Sequence, residues 1–334
     1  MKVKEKIGLV LTLTLIIGFT TYYSIPKKKL FTKTGFYMDT YFEIKLYHTN
    51  SKTVNEIFNK VFNEISRIED KFSIYKEESI VSKINKNKNC AIDEETFNLI
   101  SESIFISSIT SGAFDITILP LVKLWNIKSD KPEIPSLQKI SLAKKSVDYK
   151  KIVLEKENGK YYIKLLPPLE GVDLGGIAKG HAIKSVLQIL NRNNINTYLI
   201  NAGGGIYCKG KKWIIGLQHP RKNFGEIYAT LPLQNLTIST SGDYERFFIK
   251  NGKRYHHIIN PSTGFPAENQ VCVSVIVEDP IIADGLSTAL FITGENFEVI
   301  NKLKKMFKCL EYIIVDENLN VYKSNGLSKV QTHL

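Results

Sequence analysis

Two hydrophobic periodicities alternate along this chain at irregular intervals. Between residues 54 and 68, apolar side chains recur every three or four positions, which predicts an amphipathic helix with one buried face. Residues 36–47 instead alternate apolar and polar side chains, as a half-buried strand does. The same patterns predict helices at 94–110, 177–190, 283–293 and 297–307, and strands at 197–200, 213–217 and 271–277. Because these elements lack the regular spacing of βαβ units, we expect an α+β fold rather than a doubly wound sheet.

The composition permits a large buried core. The chain has 334 residues, 43% apolar and 23% charged, and is too hydrophobic to remain disordered. Residues 128–151 are rich in Lys, Ser and Pro, which predicts a long surface excursion.

We expect the cysteines, which show no metal-binding or redox spacing, to be small buried apolar side chains: Cys90, Cys208, Cys272 and Cys309. An exported body would permit one disulfide, which the spacing does not pair.

The first 30 residues form a separate segment, and residues 31–334 form the body. Lys2, Lys4 and Lys6 precede an apolar run at 7–23, and lysines follow at 27–29, an arrangement typical of a targeting segment. No Ala-x-Ala cleavage signal or cysteine follows the run directly. We therefore expect an uncleaved membrane anchor with the body outside the cytoplasm; a cleaved signal peptide is the alternative.

Positive charge is concentrated in this terminal segment. The formal net charge is +12, of which the first 29 residues, with six lysines and one glutamate, supply +5 and the remaining residues +7. The body is only mildly basic and shows no nucleic-acid-binding motif, so we expect no nucleic-acid partner. A positive field still suits a polyphosphate substrate or an anionic lipid surface.

Three segments contain more glycine and aspartate than a core requires. A helix-ending turn explains Gly112 in segment 111–115 but leaves Asp115 without a role. Residues 171–180 predict a short strand and a glycine turn into a helix, where backbone N–H groups and Lys179 could meet a phosphate. The Walker A spacing is absent. The three glycines of 201–205 suit a ligand or a neighbouring strand equally well.

Two further segments carry chemically active side chains. The pair His256 and His257 lacks the additional ligands that zinc needs, so a hydrogen-bonding or acid–base histidine is the better interpretation. Asp284 and Thr288, four residues apart, share one face of a predicted helix. A carboxylate, a hydroxyl and a backbone carbonyl form a sparse oxygen site that suits magnesium. The alternative is that Asp284 is a helix N-cap.

Together these segments resemble the ApbE family, the FAD:protein FMN transferases, in family order from Met38 to Gly294. The matching stretches are 38–40, 72–75 with Ser79 and Asn85, 112–115, 173–180, 203–205, 241–244, 257–264 and 283–290. The resemblance implies a compact α+β fold with T-fold-related halves and the active site between them. It implies an FAD site lined by Met38, Tyr75, Ala113, Phe114, Asp115, Asp173, Lys179 and His257. It further implies a metal held by Asp284, Thr288 and the carbonyl of Gly176, with His257 and Asp284 as catalytic residues.

The chain departs from the family pattern at a few positions. Gly175 stands where serine is common, Asp39 where glycine is common, and Asn260 where aspartate precedes the proline. Many relatives also carry a lipoprotein cysteine that this sequence lacks. The first three departures bear on cofactor affinity, and the last bears only on the tether.

The resemblance implies magnesium-dependent transfer of FMN from FAD to a Thr or Ser hydroxyl of an exported or membrane acceptor protein, with release of AMP. Either a carboxylate or His257 would take the hydroxyl proton. Two alternatives remain at this point. With water as the nucleophile, the same site would be an FAD pyrophosphatase that yields FMN and AMP. Without catalysis, the protein would store or present FAD.

The N-terminal segment generates a prediction about location. Because the apolar run at 7–23 is flanked by lysines and lacks an evident cleavage site, full-length protein should fractionate with the membrane, its body facing outward. Cell fractionation, followed by protease treatment of intact protoplasts, measures both properties. Recovery of full-length protein from the cytosol would show that the prediction is wrong.

Overall fold

An eight-stranded antiparallel sheet forms the centre of the computed structural model, which describes residues 27–223 and 225–334. The strands are β1 Lys29–Tyr37, β2 Thr40–His48, β3 Asn89–Ile92, β4 Ile152–Glu157, β5 Lys160–Leu165, β6 Tyr198–Ala202, β7 Gly205–Lys209, β8 Trp213–Gln218, β9 Ile227–Leu233, β10 Leu236–Gly242, β11 Phe247–Lys250, β12 Lys253–His256, β13 Gln270–Val277, β14 Glu311–Asp316 and β15 Val321–Lys323. The central sheet has the order β1-β2-β6-β7-β10-β13-β14-β15. The other strands form the sheet β3-β5-β4 and the ribbons β8-β9 and β11-β12.

Helices connect these strands and cover one face of the central sheet. They are α1 Ser51–Phe72, α2 Ile80–Asn87, α3 Glu94–Ile109, α4 Leu119–Trp125, α5 Leu137–Lys144, α6 Ala178–Arg192, α7 Pro280–Thr293 and α8 Phe297–Met306. Side chains cap several N-termini: Asn50 accepts a hydrogen bond from the Thr53 N–H at 3.1 Å, and Asp93 accepts one from the Thr96 N–H at 2.8 Å.

The central sheet separates two apolar cores. On one face, α1, α6 and α7 bury a continuous cluster that includes Val54, Ile65, Phe42 and Leu286. On the other face, the β8-β9 ribbon packs against β6, β7, β10, β13 and β14 and buries a smaller cluster around Trp213. The result is three layers, of helices, sheet and ribbon, which agrees with the predicted α+β fold.

The predicted helix at 54–68 is confirmed within α1, and its apolar stripe is buried. The strand predicted at 36–47 is confirmed over 40–47, where it lies in β2 with Phe42, Ile44 and Leu46 buried, but it does not continue through 36–39. Met38 and Asp39 adopt left-handed backbone conformations, with φ of 52° and 59°, and form the two-residue turn of the β1-β2 hairpin. The Met38-Asp39 pair lacks the glycine or asparagine that usually marks such a turn, so the sequence pattern did not reveal the reversal.

The segment predicted as a surface excursion, 128–151, is largely exposed as expected, and it contains the short helix α5, which begins after a Ser136 cap. The strand predicted just before α6 is absent, because residues 166–177 form an irregular loop. The side chain of Asn85 holds this loop by accepting from the Val172 N–H at 2.7 Å and donating to the Val172 carbonyl at 2.9 Å.

The cysteines are free, and they differ in burial. Cys208 and Cys272 are buried as expected, and Cys90 is half-buried. Cys309 is exposed, so the expectation of a buried side chain is wrong at that position.

The predicted anchor at 7–23 lies outside the described residues. Within 27–223 and 225–334, no helix combines the length and the apolar character that crossing a membrane requires.

Close packing of α6 against α7 depends on Gly180. A Cβ at this position would overlap the Pro280 carbonyl oxygen and lie 2.9 Å from the Cβ of Asp284. In an unobstructed helix, Gly→Ala stabilises by up to about 1 kcal/mol. Here we expect Gly180→Ala to lower the free energy of unfolding by about 1–3 kcal/mol, because α6 and α7 must separate. Urea unfolding measures the sign directly, and a stabilised variant would contradict the close contact.

Candidate active site

A single cavity of about 750 Å³ brings together all of the residues predicted for the FAD and metal sites. Its lining includes Met38, Tyr75, Ala113, Phe114, Asp115, Asp173, Gly176, Lys179, His257, Asp284 and Thr288. These residues come from the β1-β2 turn, the loops after α1 and α3, the loop before α6, the first turn of α6, the segment after β12, and α7. The fold therefore converges distant parts of the sequence on one site, while the roles of the individual residues stay predictions.

Asp284 lies inside α7 rather than at its start. The N-cap of α7 is Asp279, which accepts from the Ile281 N–H at 2.8 Å, so the interpretation of Asp284 as the N-cap of this helix is wrong. Instead, Asp284 Oδ2 accepts from the Gly180 N–H at 2.9 Å, in the first turn of α6. The N-cap residue of α6, Ile177, provides no side-chain acceptor, so Asp284 stabilises that helix terminus from another element.

The remaining oxygen of Asp284 has spare capacity for a ligand. Ser239 Oγ is the hydrogen-bond partner of Asp284 Oδ1, at a long 3.4 Å. Thr288 Oγ1 lies 3.5 Å from Ser241 Oγ and 3.5 Å from the Asp284 carbonyl oxygen. Burial raises the pKa of Asp284, and the charge of Lys179, the Gly180 N–H and Ser239 oppose the rise. A cation bound here would further stabilise the ionised carboxylate.

This donor set fits magnesium. Gly176 lies next to Thr288: a Cβ on this glycine would be 3.8 Å from Thr288 Oγ1. Carboxylate, hydroxyl and carbonyl oxygens are the hard ligands that magnesium prefers, and it keeps several waters or takes substrate phosphates. In the described residues, no group of three or more His, Cys, Asp and Glu side chains forms a metal cluster. The donors available thus match a sparse magnesium site better than a dedicated zinc site.

The two neighbouring histidines have different environments. His256 is buried, and its Nε2 lies 2.8 Å from the Ala267 carbonyl oxygen while its Nδ1 accepts from the Ile258 N–H. His257 lines the cavity, and its Nδ1 lies 3.3 Å from the Arg246 carbonyl oxygen. Burial and the nearby charge of Arg246 lower the pKa of His257 to about 3. His257 is therefore neutral at physiological pH, and donation from Nδ1 leaves Nε2 as a hydrogen-bond acceptor.

Three cations surround Asp173. The Gly175 N–H donates to Asp173 Oδ1 at 2.8 Å. Burial raises the pKa of Asp173, while that hydrogen bond and the charges of Arg246, Lys128 and Lys179 oppose the rise. These three cations therefore offset the charge of the Asp173 carboxylate when it is ionised. Lys128 and Arg246 were not predicted as site residues. The matched stretch that contains Tyr244 ends two positions before Arg246, and Lys128 lay in the supposed surface excursion.

Asp115 and Trp125 have clear structural roles. Asp115 Oδ1 accepts from the Thr117 N–H at 2.8 Å and the Thr117 hydroxyl at 2.7 Å, and Oδ2 accepts from the Tyr149 N–H at 3.0 Å. These bonds fix the turn that carries the buried Phe114 along the cavity wall. Trp125 Nε1 donates to the Gly264 carbonyl at 2.8 Å and so ties α4 to the segment after His257.

The mouth of the cavity is bridged by charged side chains. Asp39, at the hairpin tip, pairs with Lys128, and its Oδ2 lies 3.7 Å from Arg246 Nη2. The Lys128 hydrogen bond is the main reason that the pKa of Asp39 is lowered. Lys128 Nζ also lies 5.3 Å from the centre of the Tyr75 ring, which is 72% exposed. Asp39 thus holds the side chains of Lys128 and Arg246, the two cations that were not predicted from the sequence.

Solved structures share this fold. The ApbE protein of Thermotoga maritima is 31% identical and has a TM-score of 0.81, with 91% of this chain and 100% of that chain covered. The flavin transferase ApbE of Vibrio cholerae is 26% identical and has a TM-score of 0.75, with 90% and 99% covered.

Sequence relatives agree with the structural ones. An FAD:protein FMN transferase of Haemophilus influenzae is 31% identical over 322 residues, which cover 91% of this chain and 92% of the relative. A protein of the same name from Vibrio cholerae is 29% identical over 288 residues, covering 83% and 84%. The family model described as the ApbE family matches residues 38–310. This chain therefore belongs to the ApbE family and is a transferase.

Proposed function

We propose that this protein transfers FMN from FAD to a Ser or Thr hydroxyl of an acceptor protein, releases AMP, and uses magnesium. One observation supports this proposal above all: the buried carboxylate of Asp284 shares a cavity with Thr288, Lys179 and an apolar wall around Phe114. A cavity of about 750 Å³ is within the range of sites for cofactor-sized ligands. The names of its relatives connect that cavity to FAD and to a protein acceptor.

Different side chains of the cavity suit the two parts of FAD. Phe114 and Tyr75 supply apolar and aromatic surface for the organic part, with Met38 at the hairpin turn. Asp284, Thr288 and the Gly176 carbonyl would hold magnesium, which would neutralise charge developing on the diphosphate. Lys179, whose charge acts on Asp284, and Arg246 add fixed positive charge to the same cavity.

The transfer forms one P–O bond, breaks another and releases the proton of the hydroxyl. The acceptor hydroxyl oxygen attacks the phosphorus on the FMN side of the diphosphate, and the bond from that phosphorus to the oxygen of the AMP phosphate breaks. The hydroxyl proton passes to a nearby acceptor and then to solvent. Neutral His257 and Asp173, whose pKa is raised by burial, both line the cavity and can receive it. The product is a phosphoester-linked flavoprotein.

We also propose that this reaction takes place outside the cytoplasm. The support is the lysine-flanked apolar run at 7–23, which precedes the transferase body. The acceptor would then be an exported or membrane protein.

Three activities are distinguished by two products. Full-length protein is incubated with FAD, magnesium and candidate exported proteins, and AMP and covalent FMN are measured by chromatography and mass spectrometry. We expect AMP together with a mass gain on an acceptor Ser or Thr. AMP without protein-bound FMN would instead indicate the pyrophosphatase, and FAD binding without AMP would indicate a storage protein.

The metal assignment predicts that Asp284→Asn has little effect on stability and a large effect on activity. Asparagine retains an oxygen that can accept from the Gly180 N–H, so the free energy of unfolding should change by less than about 1 kcal/mol. Transfer should fall about 100-fold or more, because the amide lacks the charge that holds a hard cation. Thr288→Val should also impair transfer, because valine has nearly the same volume as threonine but lacks the hydroxyl oxygen.

Asp279→Asn is the matched control, since it makes the same change in the same helix at a position that does not line the cavity. Its transfer rate should remain near that of the native protein. A folded Asp284→Asn protein with undiminished, magnesium-dependent transfer would refute the metal assignment.

A further inference from the structure

Strand β1 is the outer strand of the central sheet, and among the described residues it pairs with β2 alone. It runs for nine residues, and an edge of this length presents a row of unpaired N–H and C=O groups. The opposite edge, β15, has three residues and does not line the cavity. The edge of β1 is therefore the longer and the better placed for pairing with another chain.

The hairpin geometry identifies which backbone groups of β1 are free. A two-residue turn places Tyr37 and Thr40 in a hydrogen-bonded pair. Such pairs alternate with pairs that do not exchange hydrogen bonds. Phe36, Thr34 and Thr32 consequently direct their N–H and C=O groups away from β2.

An exposed aromatic pair lies beside these free groups. Phe36 is 60% exposed and stands opposite Tyr41, which is 67% exposed. Their ring centres are 5.2 Å apart in an edge-to-face arrangement. The β8-β9 ribbon covers the same sheet face at the other end of the hairpin, where Trp213 packs against Tyr47 with ring centres 6.1 Å apart. The part of the face next to the turn remains exposed.

This exposed edge leads directly to the cavity. Met38, Asp39 and Thr40 form the hairpin tip and also line the cavity mouth. At about 3.3 Å per residue, a strand paired with β1 would reach the mouth one or two residues beyond Phe36.

We propose that the free edge of β1 and the Phe36–Tyr41 pair bind an extended segment of the acceptor protein, which adds a strand to the sheet and carries its hydroxyl to the cavity. The proposal rests on the proposed transfer to a protein acceptor. Main-chain hydrogen bonds would supply affinity, and the aromatic pair would select an apolar side chain.

Charge favours a different chain over a second copy of this one. Residues 27–37 contain four lysines and no acidic residue. Pairing of two β1 strands would place these like charges close together, whereas a segment with acidic side chains would complement them.

The test compares variants of the full-length protein, with the exported protein that gains FMN in the transfer assay as the probe. Phe36→Ser with Tyr41→Ser removes the aromatic pair, and Thr34→Pro removes an outward N–H without breaking a bond to β2. The control is Ile214→Ser with Ile227→Ser, at side chains 69% and 53% exposed on the ribbon. We expect kcat/KM for the acceptor to fall at least about tenfold in both β1 variants, mainly through KM. The kcat/KM of the control variant for the acceptor should be unchanged, and so should the Kd of every variant for FAD.

Several results would contradict the proposal that this edge docks the acceptor. Acceptor kcat/KM within twofold of native in the aromatic double variant would do so, as would an equal weakening of FAD binding, which would assign the hairpin to the FAD site. A dimer that the double variant abolishes without any change in acceptor kinetics would identify a second copy as the occupant. Failure of the proposed function is distinct, since it would appear in the native protein as an absence of covalent FMN.

Discussion

The contact between α6 and α7 determines the geometry of the site. Gly180 permits the two helices to touch, and the same residue donates its N–H to Asp284. A buried carboxylate is costly unless it is hydrogen-bonded or paired, and here the N-terminus of α6 and Lys179 supply that compensation. The carboxylate is thereby held at a fixed place beside Thr288 with one oxygen still available. Helix packing and the chemistry of the proposed metal site therefore depend on the same few atoms.

Burial also sets the direction in which the pKa values of titratable groups in the cavity shift. It raises the pKa of Asp173 and Asp284 and lowers that of His257, in each case because the charged form loses hydration. An incoming cation would restore part of the lost stabilisation to Asp284. His257 is already neutral, so it can accept a hydrogen bond from a hydroxyl without first losing a proton. Within the cavity, the fixed charges of Lys179, Lys128 and Arg246 offset those of Asp39, Asp173 and Asp284.

Local sequence was informative wherever local forces decide the structure. The apolar stripe of α1 and the hydrophobic runs of α7 and β13 predicted elements that the structure contains, because burying one face outweighs other local preferences. The β1-β2 reversal was missed, since Met38 is unusual in a left-handed conformation and the turn lacks the glycine that normally follows Asn or Asp there. The hairpin tip at Asp39 then contacts Lys128, a residue 89 positions away. No short-range pattern contains that information.

The sequence by itself determined the family, the α+β composition and the identity of residues that line one cavity, because these depend on residue types and their order along the chain. Only the tertiary structure decided how those residues act on one another. It showed that Asp284 caps α6 rather than its own helix, that Asp115 is occupied by three hydrogen bonds, and that Arg246 faces the site. The physical reason is that hydrogen bonding, burial and charge act over a few ångströms in space. Residues 104 positions apart, such as Gly180 and Asp284, meet only after the helices have packed.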